Sequence, residues 1–290
     1  MDERTFVTAE IMAGLLESDE YLCGDNFLRL SRKMDTMAYR KFEFIWRSGH
    51  WRGEWIESGI RAQARKASRA NRLVFGHSSK HLSNAQARVL QLLGFRNVFG
   101  TNLTKSKFLH PIPLGLTNDT SESPQHEIFG SIKPVKDALE FERRESFDYT
   151  IYSNFDPKNH SERRDLVSIV TSIGVTSYEP EVSIRGRTKN LIAGRKSNYV
   201  LCPRGVGVDT HRFWETIMIG SIPIILKSPE MELFTQVFPV LVLEDWNELS
   251  NTNLLEESFY QLNKKQVPAK YFSTSSWLPV GPKLSEEDQP

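Results

Sequence analysis

Residues Leu201–Leu226 read LCPRGVGVDTHRFWETIMIGSIPIIL, and they place three glycines, two arginines and one glutamate between two apolar runs. With the preceding NYV, the order is strand, Gly-rich turn, helix and second buried strand. Gly205 and Gly207 let the backbone turn and let a bulky anion approach closely. Asp209 or Thr210 caps the helix that follows. The free amides and positive dipole end of that helix suit phosphate oxygens. Phe213, Trp214, Ile217 and Met218 form its apolar face, while His211, Arg212 and Glu215 share the other. Arg204 and Arg212 bracket the turn with two cations matched to a diphosphate. Glu215, one turn further on, can accept from two hydroxyls, as a ribose offers. Plainer readings stand beside these: a turn whose glycines serve geometry alone, and an Arg212–Glu215 surface ion pair.

Outward from this stretch, the chain alternates. RLVFGHSS (72–79) is a strand entering a Gly-His-Ser-Ser loop, SNAQARVLQLLG (83–94) a capped helix, and FRNVFGTN and FLHPIPLGL strand-like. DYTIYSNF (148–155), SERRDLVSIVTSIG (161–174) and VTSYEP repeat the strand–helix–strand order. TKNLIAGRKS reads as a connection. After the central stretch come PVLVLED and the helix WNELSNTNLLEESFYQLNKK. Unalternating apolar strands interleaved with helices predict parallel, doubly wound α/β sheets. Residues 34–46 and 57–70 are rich in helix formers, so the first seventy residues read as mostly helical. The expected organisation is an N-terminal lobe over 1–120, a polar Pro-containing linker over 121–147 and a C-terminal lobe over 148–290. The two lobes are expected to be Rossmann-like, with parallel sheets facing a central cleft.

Bulk composition limits the partners. The 290-residue chain is 39% hydrophobic and 25% charged, which is globular composition. Its 37 basic and 36 acidic residues leave a net charge of only +1, so binding of nucleic acid by bulk charge is not expected. Cys23 and Cys202 make no disulfide framework, which fits a reduced, cytoplasmic setting. The N-terminal MDERTFVTAE is charged where a signal peptide is apolar, and no run approaches membrane-span length. A Golgi-lumen setting would need an anchor outside this chain.

Pro203-Arg204-Gly205, Thr210-x-Arg212-x-x-Glu215 and Gly220-Ser221-Ile222-Pro223-Ile224 together resemble the donor-site signature of exostosin-type glycosyltransferases. That signature runs P-R-G, [ST]-x-R-x-x-E-A, then a small residue followed by [IV]-P-[VI]. Thr216 stands where the family commonly has alanine. The resemblance covers residues 198–246, where VLVLEDW matches the family's trailing strand and acidic turn, and extends more weakly over 148–164. It implies a GT-B fold, a nucleoside-diphosphate sugar donor (UDP-linked) held by the C-terminal lobe, inversion at the sugar and no essential metal or other cofactor. The partners it implies are that nucleotide sugar and a glycan or other hydroxyl acceptor. The sequence has no Asp-x-Asp triplet of the metal-dependent sugar transferases, so arginines and helix amides are expected to offset the diphosphate charge.

Further candidates lie at predicted strand ends. Asn154 and Arg163, in SNFDPKNHSERRDL, stand where they can reach a diphosphate; Asn159 and His160 precede the same helix. His77 follows the first strand of the N-terminal lobe and is the candidate general base, with Asp119 and Glu122 in reserve. His77 and His81 lack a third ligand at sensible spacing, which argues against metal. Asn102 and Asn118 read as turn residues that can touch an acceptor, and Trp46, Trp51 and Trp55 as core or a sugar-stacking platform. Two other functional classes compete with transfer. A nucleotide-sugar epimerase or hydrolase turns over without an acceptor, and a non-catalytic nucleotide- or glycan-binding module does not turn over at all. A dinucleotide oxidoreductase is disfavoured because no G-x-G-x-x-G follows either lobe's first strand.

Overall fold

A computed structural model describes residues 7–18, 20–32, 37–39, 42–47, 50–55, 72–76, 78–79, 81–92, 95–117, 124–143, 145–178 and 181–278. Two helices, α1 (Ala9–Leu16) and α2 (Gly24–Arg32), open it. Three strands then follow: β1 (Met37–Tyr39), β2 (Phe42–Arg47) and β3 (His50–Trp55). This corrects the helical reading of residues 34–46. FEFIWR alternates aromatic or charged residues with a period of two, and β2 and β3 form an antiparallel hairpin pairing Phe42 with Trp55 and Trp46 with Trp51. Aromatic and β-branched residues favour such pairing over their neighbours' helix propensity. The helix expected over 57–70 lies outside the described residues.

The next unit follows the sequence reading: β4 (Arg72–Phe75), α3 (Asn84–Leu92), β5 (Asn97–Gly100) and β6 (Leu109–Pro111). With β1 it makes a parallel sheet in the order β1-β4-β5-β6. Residues 121–147 are not simply a polar connection. They carry α4 (Pro124–Phe129) and α5 (Lys133–Leu139), and Val135 and Ala138 of α5 are fully buried. Pro134 is tolerated there because it sits in the first turn, where its missing N–H would have no partner.

The C-terminal part contains β7 (Ile151–Asn154), α6 (Ser161–Ser172), β8 (Ser177–Tyr178) and α7 (Ile184–Arg195). It continues through β9 (Tyr199–Leu201), α8 (His211–Met218), β10 (Ile222–Leu226), α9 (Glu232–Val237), β11 (Leu241–Leu243) and α10 (Thr252–Asn263). All five strands are parallel, in the order β11-β10-β9-β7-β8. Both faces are covered. Val200 and Ile225 pack with Leu191, Phe213 and Ile217 on one side, whereas Tyr199, Leu201 and Ile224 pack with Leu166, Val170 and Phe259 on the other. That two-sided burial is why these strands read as continuous apolar runs. Pro223 is accommodated in β10 because it precedes Ile224, the first residue paired to β11.

The first of these apolar clusters does not stop at the C-terminal sheet. It runs on through Val74, Phe99 and Ile112 of the N-terminal part. Among the described residues, no helix is long and apolar enough to cross a membrane.

Candidate functional site

Counted from β7, the C-terminal sheet has the order 2-1-3-4-5, so the chain reverses its winding direction between β7 and β9. Crevices at the carboxyl ends of strands flanking such a reversal are where open α/β sheets bind ligands. Asn154 ends β7 at this point and is 1% exposed. Its Oδ1 accepts from Arg212 Nη2 at 3.1 Å. A guanidinium can only donate, so the amide oxygen must face it. Asn154 Nδ2 is thereby left buried without a partner among the described residues. An orphaned donor of this kind costs free energy until an acceptor arrives, on the order of 1–3 kcal/mol.

Asn154 and Arg212 line a solvent-open cavity together with Tyr152, Arg187, Asn190 and Glu215. Arg212 comes from the first turn of α8, which starts where Thr210 Oγ1 accepts from Phe213 N at 3.4 Å. Of the two caps the sequence allowed, Thr210 is the one used. Thr216 turns its hydroxyl back to the Arg212 carbonyl at 2.8 Å.

Arg163 has a different task from the one expected. Its Nε donates to Arg204 O at 2.7 Å and its Nη2 to Pro203 O at 3.1 Å, with a longer bond from Nη1 to Asp156 O at 3.4 Å. It therefore buttresses the Pro-Arg-Gly turn from behind. Burial, and then the Arg212 charge, pull its guanidinium below the ordinary value. Two cations placed this close favour an anion nearby.

The glycines also differ from expectation. Gly205 N donates to Gly207 O at 3.0 Å, so that amide closes the turn on itself and is not free for phosphate. A Cβ at Gly207 would lie 2.8 Å from the Asn102 amide, so its smallness serves close packing against the N-terminal part. Arg204 keeps a buried Nε with no partner among the described residues and remains a candidate anion ligand.

Glu215 is paired, but with Arg187 and not with Arg212. Arg187 Nε and Nη2 reach its Oε1 at 2.9 and 2.7 Å, and the two side chains are 4% and 13% exposed. Arg187 lies on α7, one residue before the stretch read as a connection, and 28 residues from Glu215. Nothing in the local pattern marked it. Asn190, also on α7, accepts from the Tyr152 hydroxyl at 2.9 Å.

The turn is tied to the N-terminal part by buried polar bonds. Asn102, in the left-handed region with φ of 57°, accepts from Asp209 N at 2.9 Å and donates to Ser78 O at 2.8 Å. Asp209 accepts from Leu114 N at 2.8 Å and from Trp214 Nε1 at 2.6 Å. His211 Nδ1 meets Gly115 O at 2.8 Å, and His81 pairs with Glu230 at 3.1 Å. Asn102 is thus a clamp between the two parts. His160 caps α6, with Nδ1 accepting from Glu162 N at 3.2 Å. His77, Asn118, Asp119 and Glu122 lie outside the described residues, as do the side chains of Trp46, Trp51 and Trp55.

Titration removes some candidates from the chemistry. Burial pushes the Cys202 thiol up to about 12, so it is no nucleophile at neutral pH. Tyr152 is likewise raised to about 12 by burial and acts as a neutral donor. Comparison with known proteins finds no matching family model and no matching curated protein.

Proposed function

We propose that the chain is a GT-B-type glycosyltransferase that moves a sugar from a nucleoside-diphosphate sugar, UDP-linked, to a hydroxyl acceptor. The observation that carries this reading is the orphaned Asn154 amide beside Arg212 at the winding reversal of a parallel sheet. Donors without acceptors, next to a cation, suit a phosphate oxygen. Glu215 in the same cavity suits ribose hydroxyls, and Arg204 at the turn suits the second phosphate. The Pro-Arg-Gly, Thr-x-Arg-x-x-Glu and Ile-Pro-Ile series supports the same assignment. Stabilising the leaving diphosphate with preorganised guanidinium and amide donors is the catalytic contribution this set can make.

His77, one residue after Gly76 and one before the clamped Ser78, is the proposed base for the acceptor proton. Calorimetric titration with UDP in EDTA tests the donor site. Binding is expected, with Asn154→Ala and Arg212→Ala each weaker by about tenfold or more. Absence of binding by every nucleoside diphosphate tried would sink the proposal. His77→Ala should lower transfer to an acceptor by ~10²–10⁴-fold and leave UDP affinity near wild type. Wild-type turnover in that variant would place the base elsewhere.

A further inference from the structure

Arg187 meets Glu215 in an unusual way. A guanidinium facing a free carboxylate commonly makes two parallel bonds, one to each oxygen. Here both nitrogens fall on Oε1, at 2.9 and 2.7 Å, and Oε2 has no hydrogen-bond partner among the described residues. The remaining nitrogen, Nη1, is held elsewhere. It donates to Ile128 O at 3.1 Å, in the last turn of α4, and to Ser131 O, in the turn between α4 and α5. The guanidinium is therefore fixed from two sides and cannot swing to take the second oxygen. Glu215 is fixed in turn, with one oxygen consumed and the other spare at a cavity wall.

We infer that Arg187 is a positioning residue, holding Glu215 so that its Oε2 accepts from the ribose hydroxyls of the nucleotide. The inference rests on reading the cavity as a nucleotide-sugar site. It adds a residue that the Thr-x-Arg-x-x-Glu pattern does not contain, and it assigns the site's ribose recognition to a pair contributed by α7 and α8. Phe129, between the two carbonyls that hold Nη1, also lines the cavity. The same arginine thus ties the wall of the cavity to its hydroxyl acceptor. A purely structural ion pair would have no reason to distinguish a ribonucleotide from its deoxy analogue.

The test measures affinity for UDP and for 2′-deoxy-UDP by calorimetry in wild type, Arg187→Met and Arg187→Lys. Wild type should prefer UDP by about tenfold, the cost of a lost hydrogen bond to a charged group. Arg187→Met should bring the two nucleotides to nearly the same affinity. Lysine offers one rotatable ammonium in place of the fixed pair, and should reduce the preference to about threefold. If the methionine variant does not fold, the lysine variant decides the matter. A wild-type preference retained in whichever variant folds overturns the inference, as does a wild type that binds both nucleotides equally. Failure of the wild type to bind either nucleotide overturns the nucleotide-sugar reading itself, and the inference with it.

Discussion

Gly207 carries a demand that its neighbours cannot relax. A methyl group there would meet Oδ1 and Nδ2 of Asn102 at 2.8 Å. The Asn102 side chain cannot retreat without giving up its bonds to Asp209 N and Ser78 O. Gly207→Ala is therefore expected to lose about 1–3 kcal/mol of stability, the usual cost of overpacking. A urea titration would show this as a lower midpoint at an unchanged slope. Adding Asn102→Ala should recover part of the loss, and simple additivity of the two changes would refute the contact as its cause. Glu215 is the second case where a residue has two duties. Glu215→Gln should weaken UDP binding and also lower stability by on the order of 2 kcal/mol, because Arg187 then keeps only the carbonyls of Ile128 and Ser131 as full partners. A thermal melt at wild-type temperature would show that the pair contributes nothing to the fold.

Helix α8 shows what makes an element readable. Thr210 caps its start, four apolar residues share one face, and Gly220 ends it with φ of 74°. Gly220 N donates to Ile217 O at 2.9 Å and Ser221 N to Thr216 O at 3.0 Å, the paired closure that a left-handed residue permits. Gly220→Ala should cost roughly 1–2 kcal/mol for that backbone conformation alone. A Cβ would also press on Arg195 Nη1 at 3.2 Å. An unchanged unfolding midpoint in this variant would mean that the helix end can refold around alanine. Every signal in α8 is local, so the sequence suffices to place it.

Helix α7 is the opposite case. Its two glycines and four basic residues suggest a loop, whereas the Ser183 cap, burial of Leu191 and the fit of Gly194 against Val200 and Ile219 support a helix. The helical reading of residues 34–46 failed for a related reason, since strand pairing over 37–39 and 42–46 outweighs the helix-forming neighbours. The site divides the same way. Arg212 and Asn154 were legible as cleft residues because each sits at a strand or helix end. Arg187 was not, because its partner is remote in sequence. Arg163 and Gly205 were legible as part of the turn, but their hydrogen bonds to nearby carbonyls decide what remains for a ligand.

At the scale of the molecule, the N-terminal and C-terminal parts meet across Asp209. It is 3% exposed, and it accepts from Leu114 N on one part and from Trp214 Nε1 and Thr210 N on the other. Burial pushes its carboxyl up to about 7 from an ordinary 3.8, while the three N–H donors pull in the other direction. Burial is the larger effect, so the folded state prefers the protonated form. The stability this gives is complete below about pH 4. It declines as pH rises toward 7 and is lost above, with an upper bound on the order of 4 kcal/mol. Other titratable side chains bonded across the two parts are His211, two residues on and bonded to Gly115 O, and the His81–Glu230 pair.

Asp209→Asn removes the titration but sets an amide N–H₂ against one of the donors, so the variant should be less stable at every pH. The informative quantity is the difference between wild type and variant. Measured by urea unfolding at pH 5.0 and 7.5, wild type should lose much of its advantage over Asp209→Asn at the higher pH. Subtracting the variant cancels the histidines and remaining carboxylates, which titrate alike in both. A difference that stays constant between the two pH values would show that Asp209 is already ionised at pH 5.0. The three N–H donors would then outweigh burial, and the junction would be held by a carboxylate anion throughout.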